Sequence, residues 1–406
     1  MNKIVKVVIV ADFGYVEGGA AKVALDSLCL LHKTGHEVIL FCGSAKVDSA
    51  IESLGCRIVK LGMPQLKDHP DKLRAMVDGL WNRTAADRLA RLLSELSPEE
   101  TVVHVHSWTK ILSPSIFSVL RKSGFRTVMT AHDYFLICPN GAFYDYVHQC
   151  LCPYHGGSVR CLLCNCDARS YLQKVWRWIR QRIVTYQTRR FPQMALLTIS
   201  DLNDRILKRE MPGKRAFVRV NNPMAVSKDN ANSIEGKSDF LFVGRASPEK
   251  GLDLFVRAVT ECGVHGVVVG DGEVLPDLRR RYPNVEYLGW VNSERVRGII
   301  RSRAACFVFP SRLYEGSPLT PLEMMSEGVP CILSDSSAAA EYVKDGESGL
   351  LFKSGDINDL KKKICQMSDL AYRNAMSDCV RENFDASQWG EERHLEKLRE
   401  IFSHIE

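Results

Sequence analysis

Runs of consecutive apolar, β-branched residues alternate with stretches of helical spacing along nearly the whole chain, in two successive series. In the first, VKVVIVAD (5–12), HEVILFCG (36–43), CRIVKLG (56–62), TVVHVHSW (101–108), RTVMTAH (126–132) and MALLTIS (194–200) read as strands. Because these runs are apolar throughout, and not at every second residue, both sheet faces must be covered. That demands parallel strands joined by helices. AAKVALDSLCLLHKTG supplies one such helix, with Val23, Ala24, Ser27, Leu28 and Leu31 on its inner face and Gly35 as its stop. TAADRLARLLSEL is another, capped by Thr84. The second series has strands DFLFVG (239–244), GVVVG (266–270), VEYLGW (285–290), ACFVFP (305–310) and PCILSD (330–335). Its helices are KGLDLFVRAVTE, SERVRGIIRS, PLEMMSEG and DINDLKKKICQM. The fold class expected is α/β: two Rossmann-like doubly wound domains facing a cleft, with a C-terminal helix crossing back to the first domain.

The 406 residues hold enough apolar material, 45% of the chain, for two cores. The expected division is a first domain over 1–222, a polar Asn/Ser-rich linker at 223–238, a second domain over 239–385 and a C-terminal helix at 386–406. A long insertion at about 133–193 breaks the rhythm of the first domain, and such segments usually carry function. No apolar run reaches the ~18 residues of a membrane span. The opening MNKIVKVVIVAD reads as a buried strand and not a signal peptide, so the expected location is cytoplasmic. Eight cysteines sit in apolar or helical contexts, where they behave as small hydrophobes. A net charge of +6 suits an anionic ligand or a membrane surface and requires neither.

Loops at strand ends carry the chemistry. The first strand runs into DFGYVEGGAAKVA, where Gly18 and Gly19 stand at a helix entry. Bare backbone N–H groups there can meet an anion, or the glycines can simply make a tight turn. The loop lacks the G-x-G-x-x-G dinucleotide fingerprint, which argues against a nicotinamide-dependent reductase. DFLFVG leads into RASPEKG, placing Arg245 and Lys250 around a turn. A planar guanidinium fork and a compact ammonium suit a diphosphate. In YEGSPLTPLEMMSEGVP, Pro318 opens a helix, with Glu315 before it and Glu323 within it. Each carboxylate alone reads as a surface charge; together, at successive strand ends, they fit a polyhydroxylated ligand.

These residues resemble the retaining, GT-B-fold glycosyltransferases of family four, the nucleotide-sugar-dependent enzymes of bacterial polysaccharide type. The resemblance rests on the Gly18–Gly19 loop, the H-x-H strand end (His104, His106) and the T-x-H-D strand end (Thr130, His132, Asp133). It continues through Ile199–Ser200, Asn221–Pro223, G-R-x-x-x-x-K-G (Gly244–Gly251), V-G-x-G (Val269–Gly272) and E-x₇-E (Glu315–Glu323), in the family's order. It implies that Arg245 and Lys250 hold the donor diphosphate, Glu323 the ribose hydroxyls and Glu315 the sugar ring. Gly18 and Gly19 would bring amides to the distal phosphate, and His132 would sit over the donor sugar. Asp271 and Leu288–Val291 would lie near the base, with Thr320 in the same donor-binding set. The implied reaction moves a hexose with retention, by front-face attack, onto a saccharide or lipid-linked saccharide, as in polysaccharide or lipopolysaccharide biosynthesis. It needs no catalytic metal and no protein nucleophile, only positioning and electrostatic preorganisation. Asp133 reads either as an acceptor-side base or as a cap for the following loop, and His106 more readily as structural than catalytic.

Two features fall outside the resemblance. Cysteines crowd into 138–166 with His148 and His155 among them, and Cys150, Cys152, Cys161 and Cys164 have the spacing of a structural zinc knuckle, with Cys166 as substitute. Disulfides or packed thiols are the alternative. Residues 169–191 hold seven Arg or Lys and no acid, interleaved with Trp176, Trp178, Ile179, Ile183, Val184 and Phe191. They fit a helix that docks on an anionic membrane surface, or a core-facing helix with a solvated basic side. A nucleic-acid-binding protein built on the knuckle and the basic helix leaves Arg245, Lys250, Glu315 and Glu323 unexplained, so no nucleic acid is expected. A sugar-nucleotide epimerase of the same fold would present a similar donor site.

Overall fold

The computed structural model describes residues 6–224 and 233–404, so residues 225–232 of the expected linker lie outside the described residues. The chain divides into two units: one comprises the described residues up to Ala142, Pro153–Pro223 and those from Trp389 on; the other comprises Phe143–Cys152 and the described part of Met224–Gln388.

The first unit is built on β1 (Lys6–Ala11), β2 (Glu37–Cys42), β3 (Arg57–Lys60), β4 (Thr101–Val105) and β5 (Arg126–Thr130), followed after a hairpin by β8 (Ala195–Thr198) and β9 (Phe217–Arg219). Their order is β3-β2-β1-β4-β5-β8-β9, all parallel. The strands that are apolar throughout are the ones buried on both faces, and Val7 to Val10 have no exposed surface at all. Helix Gly19–Lys33 buries the residues its spacing selects, Val23, Ala24, Ser27, Leu28 and Leu31 among them. The C-terminal helix Glu391–His404 groups with this unit. His394 fastens it: Nε2 pairs with Ser27 Oγ at 2.9 Å and Nδ1 with the Asn221 carbonyl at 2.8 Å.

The second unit repeats the plan with β10 (Asp239–Val243), β11 (Gly266–Val269), β12 (Glu286–Gly289), β13 (Ala304–Phe309), β14 (Cys331–Ser334) and β15 (Leu350–Phe352). The order β12-β11-β10-β13-β14-β15 is again all parallel. In both units the strand order reverses beside the first strand, between β1 and β4 and between β10 and β13. Loops at the carboxyl ends of such strands part there and leave room for a ligand.

The structure corrects three local readings. Helix Arg83–Ser94 starts at Asn82, whose side chain accepts the Ala85 N–H at 2.9 Å, and not at Thr84. Asn82 is buried and also donates to the Ile111 carbonyl, so a tertiary contact selects this cap. Helix Lys72–Leu80 and strands β9 and β15 add to the elements read from sequence. Within the insertion, β6 (Tyr144–Asp145) and β7 (Cys150–Leu151) form an antiparallel hairpin that groups with the second unit. The helices Val159–Leu163 and Tyr171–Arg189 stay with the first.

Candidate active site

The turn after β10 meets the turn after β11 on one side and the loop after β13 on the other, at the second unit's switch point. They approach so closely that two glycines are obligatory. A Cβ on Gly270, at φ +136°, would lie 1.9 Å from the Gly244 carbonyl oxygen, and one on Gly251, at φ +71°, would lie 2.1 Å from that of Pro310. The glycines of G-R-x-x-x-x-K-G and V-G-x-G therefore have a backbone reason. The Ala246 N–H donates to the Asp271 carbonyl at 2.9 Å, joining the two turns, and Asp271 itself is exposed.

On this frame the expected cations each meet a carboxylate. Lys250 donates to Glu315, and Ser311 Oγ donates to the same carboxylate oxygen at 2.7 Å. Burial penalises the charge on Glu315, but Lys250, Ser311 and the field of Arg245 outweigh it and hold its carboxyl below the usual range. Arg245, largely exposed, donates to Glu249 at 2.9 Å, while Glu249 is buried and also accepts from Ser247 Oγ at 2.8 Å. Arg312 forms a two-pronged pair with Asp253, at 2.8 and 2.7 Å, and its backbone N–H donates to the Glu249 carbonyl. This locks the loop after β13 to the turn after β10. Glu323 and Thr320 lie on helix Leu319–Ser326, whose first turn has no side-chain cap; Glu323 is exposed and Thr320 half-buried. Glu249, Arg312 and Asp253 escaped the sequence reading, because an acid four residues from an arginine looks like any solvated pair.

The remaining expected residues belong to the first unit. Gly18 caps helix Gly19–Lys33 without a side-chain bond, and the helix has no acid in its first turn, so its N–H groups stay open to an anion. His104, His106 and His132 form a connected cluster at the ends of β4 and β5. His104 Nε2 pairs with Thr130 Oγ1 at 2.8 Å, and His106 Nδ1 with His132 Nε2 at 3.0 Å. Burial pushes all three below the usual histidine range, His132 to about 3, so they are neutral imidazoles. Asp133 accepts the Phe135 N–H at 3.0 Å, the loop-capping alternative. Although it reaches solvent, the surrounding protein and the charge of Asp12 push its carboxyl up to about 6. Asp12, at the end of β1, accepts the N–H groups of Lys110, Ile111 and Leu112 at 2.9–3.0 Å and so anchors the loop after β4. Nothing in its sequence neighbourhood marks that role.

The four cysteines expected to form a zinc knuckle, Cys150, Cys152, Cys161 and Cys164, are divided between the two units. Cys150 and Cys152 lie on the hairpin of the second unit, Cys161 and Cys164 in the first. Among the described residues no group of three or more His, Cys, Asp or Glu is placed to hold a metal ion. Cys161 and Cys166 instead face the buried ammonium of Lys174, whose Nζ lies 3.3 and 3.0 Å from their sulfurs. The cation beside these sulfurs is a lysine. The basic helix is likewise more internal than its composition implies: Lys174 and Arg180 are buried. Trp176 and Trp178 donate their indole N–H groups to the Met76 and Ser158 carbonyls, each at 3.1 Å. Arg169, Arg182, Arg189 and Arg190 remain exposed.

Comparison with known proteins bears on the family and the fold. Residues 18–190 match the family model described as a glycosyl transferase 4-like domain, and residues 237–369 that of glycosyl transferases group 1. The UDP-Gal:alpha-D-GlcNAc-diphosphoundecaprenol alpha-1,3-galactosyltransferase of Escherichia coli is 29% identical over 177 residues, 40% of this chain and 44% of that protein. The lipopolysaccharide 1,6-galactosyltransferase of Salmonella typhimurium is 33% identical over 135 residues, 30% of this chain and 36% of that protein. The chain thus spans less than half the length of these curated relatives. Among solved structures, Anabaena Alr3699/HepE in complex with UDP and glucose shares the fold with a TM-score of 0.67 at 14% identity, over 98% of this chain and 99% of that one. Sucrose-phosphate synthase from Thermosynechococcus elongatus does so with a TM-score of 0.71 at 16% identity, over 98% of each chain.

Proposed function

Because the chain belongs to the GT-B-fold glycosyltransferases of the family-four type, we propose that it transfers a hexose from a uridine-diphosphate sugar to a saccharide acceptor with retention of configuration. The observation that carries the reading is the carboxylate-braced pair of cations, Arg245 and Lys250, at the switch point beside β10. Arg245 and Lys250 bind the diphosphate and stabilise the charge that grows on it as the glycosidic bond breaks. Glu315, kept ionised by Lys250, is poised to accept hydrogen bonds from the donor sugar's hydroxyls. The exposed Glu323 takes the ribose hydroxyls, with Thr320 on the same helix and Asp271 in the turn after β11 completing the donor-binding set. In the first unit, His132 stays neutral and offers a hydrogen bond without competing for the diphosphate's charge. Gly18 and Gly19 supply uncapped N–H groups. Uridine and galactose come from the names of the relatives, as does a lipid-linked saccharide acceptor met at the inner face of the cytoplasmic membrane. Among the described residues no helix is long and apolar enough to cross a membrane, and the exposed arginines of helix Tyr171–Arg189 suit a surface contact.

The test is to incubate the protein with UDP-galactose, with and without an undecaprenyl-diphosphate-linked N-acetylsugar, and to determine products and anomeric configuration by NMR. An α-linked product that appears only with acceptor supports the reading. A new sugar nucleotide formed without acceptor would replace it with an epimerase.

A further inference from the structure

The first unit holds a cavity of about 690 Å³ that none of the expected donor-site residues lines. It lies against helix Lys72–Leu80, helix Tyr171–Arg189 and the loop after β4. Lys67, Lys72, Lys110, Arg169, Arg177 and Arg180 contribute to its wall, and no acidic residue does. The rest is mainly apolar, with Leu66, Met76, Leu172 and Trp176 prominent. Gly79 makes room for the indole, since a Cβ there would stand 2.6 Å from the Trp176 ring.

Two observations say what such a cavity takes. Arg180 is buried yet makes only one hydrogen bond among the described residues, to the Thr109 carbonyl at 3.0 Å. Its guanidinium is held against the rings of Trp176 and Phe135 at 5.1 and 5.6 Å. Asp12 and Asp133 act on its charge from outside the cavity wall, and the guanidinium donors that line the cavity can still take an anion. Of the apolar side chains that line it, Met76 and Leu172 are 50 and 81% exposed, and Leu73 and Val77, on the same helix face as Met76, are 77 and 64% exposed. Helices normally bury such a face, and unpartnered ones mark binding surfaces. A free phosphate would leave this apolar wall unused, and the volume far exceeds what an inorganic anion fills.

We propose that this cavity binds a single prenyl-type lipid phosphate or diphosphate, its anion on Arg180 and neighbouring cations and its first apolar units along Trp176, Met76 and Leu172. The identification of that lipid as the carrier of the saccharide acceptor rests on the glycosyltransferase reading; the binding itself does not.

Calorimetric titration of the protein with farnesyl diphosphate below its micelle concentration, inorganic pyrophosphate, farnesol and anionic phospholipid vesicles tests the proposal. Farnesyl diphosphate should bind at least tenfold more tightly than pyrophosphate or farnesol. Lys72→Glu and Leu172→Asp, both at exposed positions, should each weaken it fivefold or more, with the melting temperature and UDP affinity unchanged. Equal affinity for pyrophosphate, equal affinity for farnesol, indifference to both substitutions, or binding to vesicles alone would each overturn it. Failure of sugar transfer with farnesyl diphosphate binding intact would count against the proposed function and leave this site standing.

Discussion

Lys250 and Glu315 are 65 residues apart in the chain, yet the lysine ammonium donates directly to the glutamate carboxylate. The contact bridges the turn after β10 and the loop after β13, and Arg312 with Asp253 braces the same two segments. A cation and an acid are thus held at the carboxyl ends of two central strands, where on the proposed reading a diphosphate and a sugar would each find a partner.

Replacing Lys250 by Ala should leave the fold intact and reduce transfer by at least ~2–3 kcal/mol of transition-state stabilisation. Glu323→Gln should lower turnover severely as well, since its exposed carboxylate contributes nothing to the core. Steady-state kinetics beside thermal melts separates the two effects, and near-normal transfer by either variant would remove the assignment.

Acidification should weaken the second unit through Glu315. Its folded pKa lies below the unfolded value, so its contribution is complete above the ordinary carboxylate range and is lost as pH falls through the folded pKa. Urea unfolding at pH 7 and pH 3.5, in wild type and Glu315→Gln, should show a smaller pH dependence in the variant. Equal slopes would contradict the account.

The histidine cluster predicts a separate loss of stability, beginning at higher pH. Folded His104, His106 and His132 resist protonation, while the unfolded chain takes protons near pH 6.5. Stability is full above that value and falls below it, at a limiting ~1.4 kcal/mol per pH unit per histidine. NMR titration should show the His132 ring unprotonated at pH 5; a midpoint near 6.5 would mean that the burial is not as described.

Gly270→Ala should be among the most damaging single substitutions in the second unit. The added methyl would collide with the Gly244 carbonyl at a φ that L-residues avoid. A cost above ~3 kcal/mol is expected from combined strain and displacement. A melting temperature within a degree of wild type would show that the two turns do not touch.

Much of this was legible in the sequence, for a physical reason. Strands buried on both faces must be apolar throughout, as Val7 to Val10 are, and a backbone close approach must use glycine, as Gly251 does. What stayed hidden depends on tertiary neighbours. Helix Lys72–Leu80 turns Leu73, Met76 and Val77 outward and packs with Ala75 and Gly79, so its apolar pattern points the wrong way. β9 and β15 have three residues each, too few for a period to show. Cysteine spacing points to zinc and cannot reveal that Lys174, on another helix, stands beside Cys161 and Cys166. A thiol reagent should accordingly reach the exposed Cys150 before either of those buried sulfurs.

Calorimetric titration of UDP into the wild type and Lys250→Ala tests the central claim, that Arg245 and Lys250 bind a nucleoside diphosphate. The account predicts micromolar binding to the wild type and a loss of about tenfold or more, ~1.4 kcal/mol, in the variant at unchanged melting temperature. No binding to the wild type, or equal affinity in both, would contradict it.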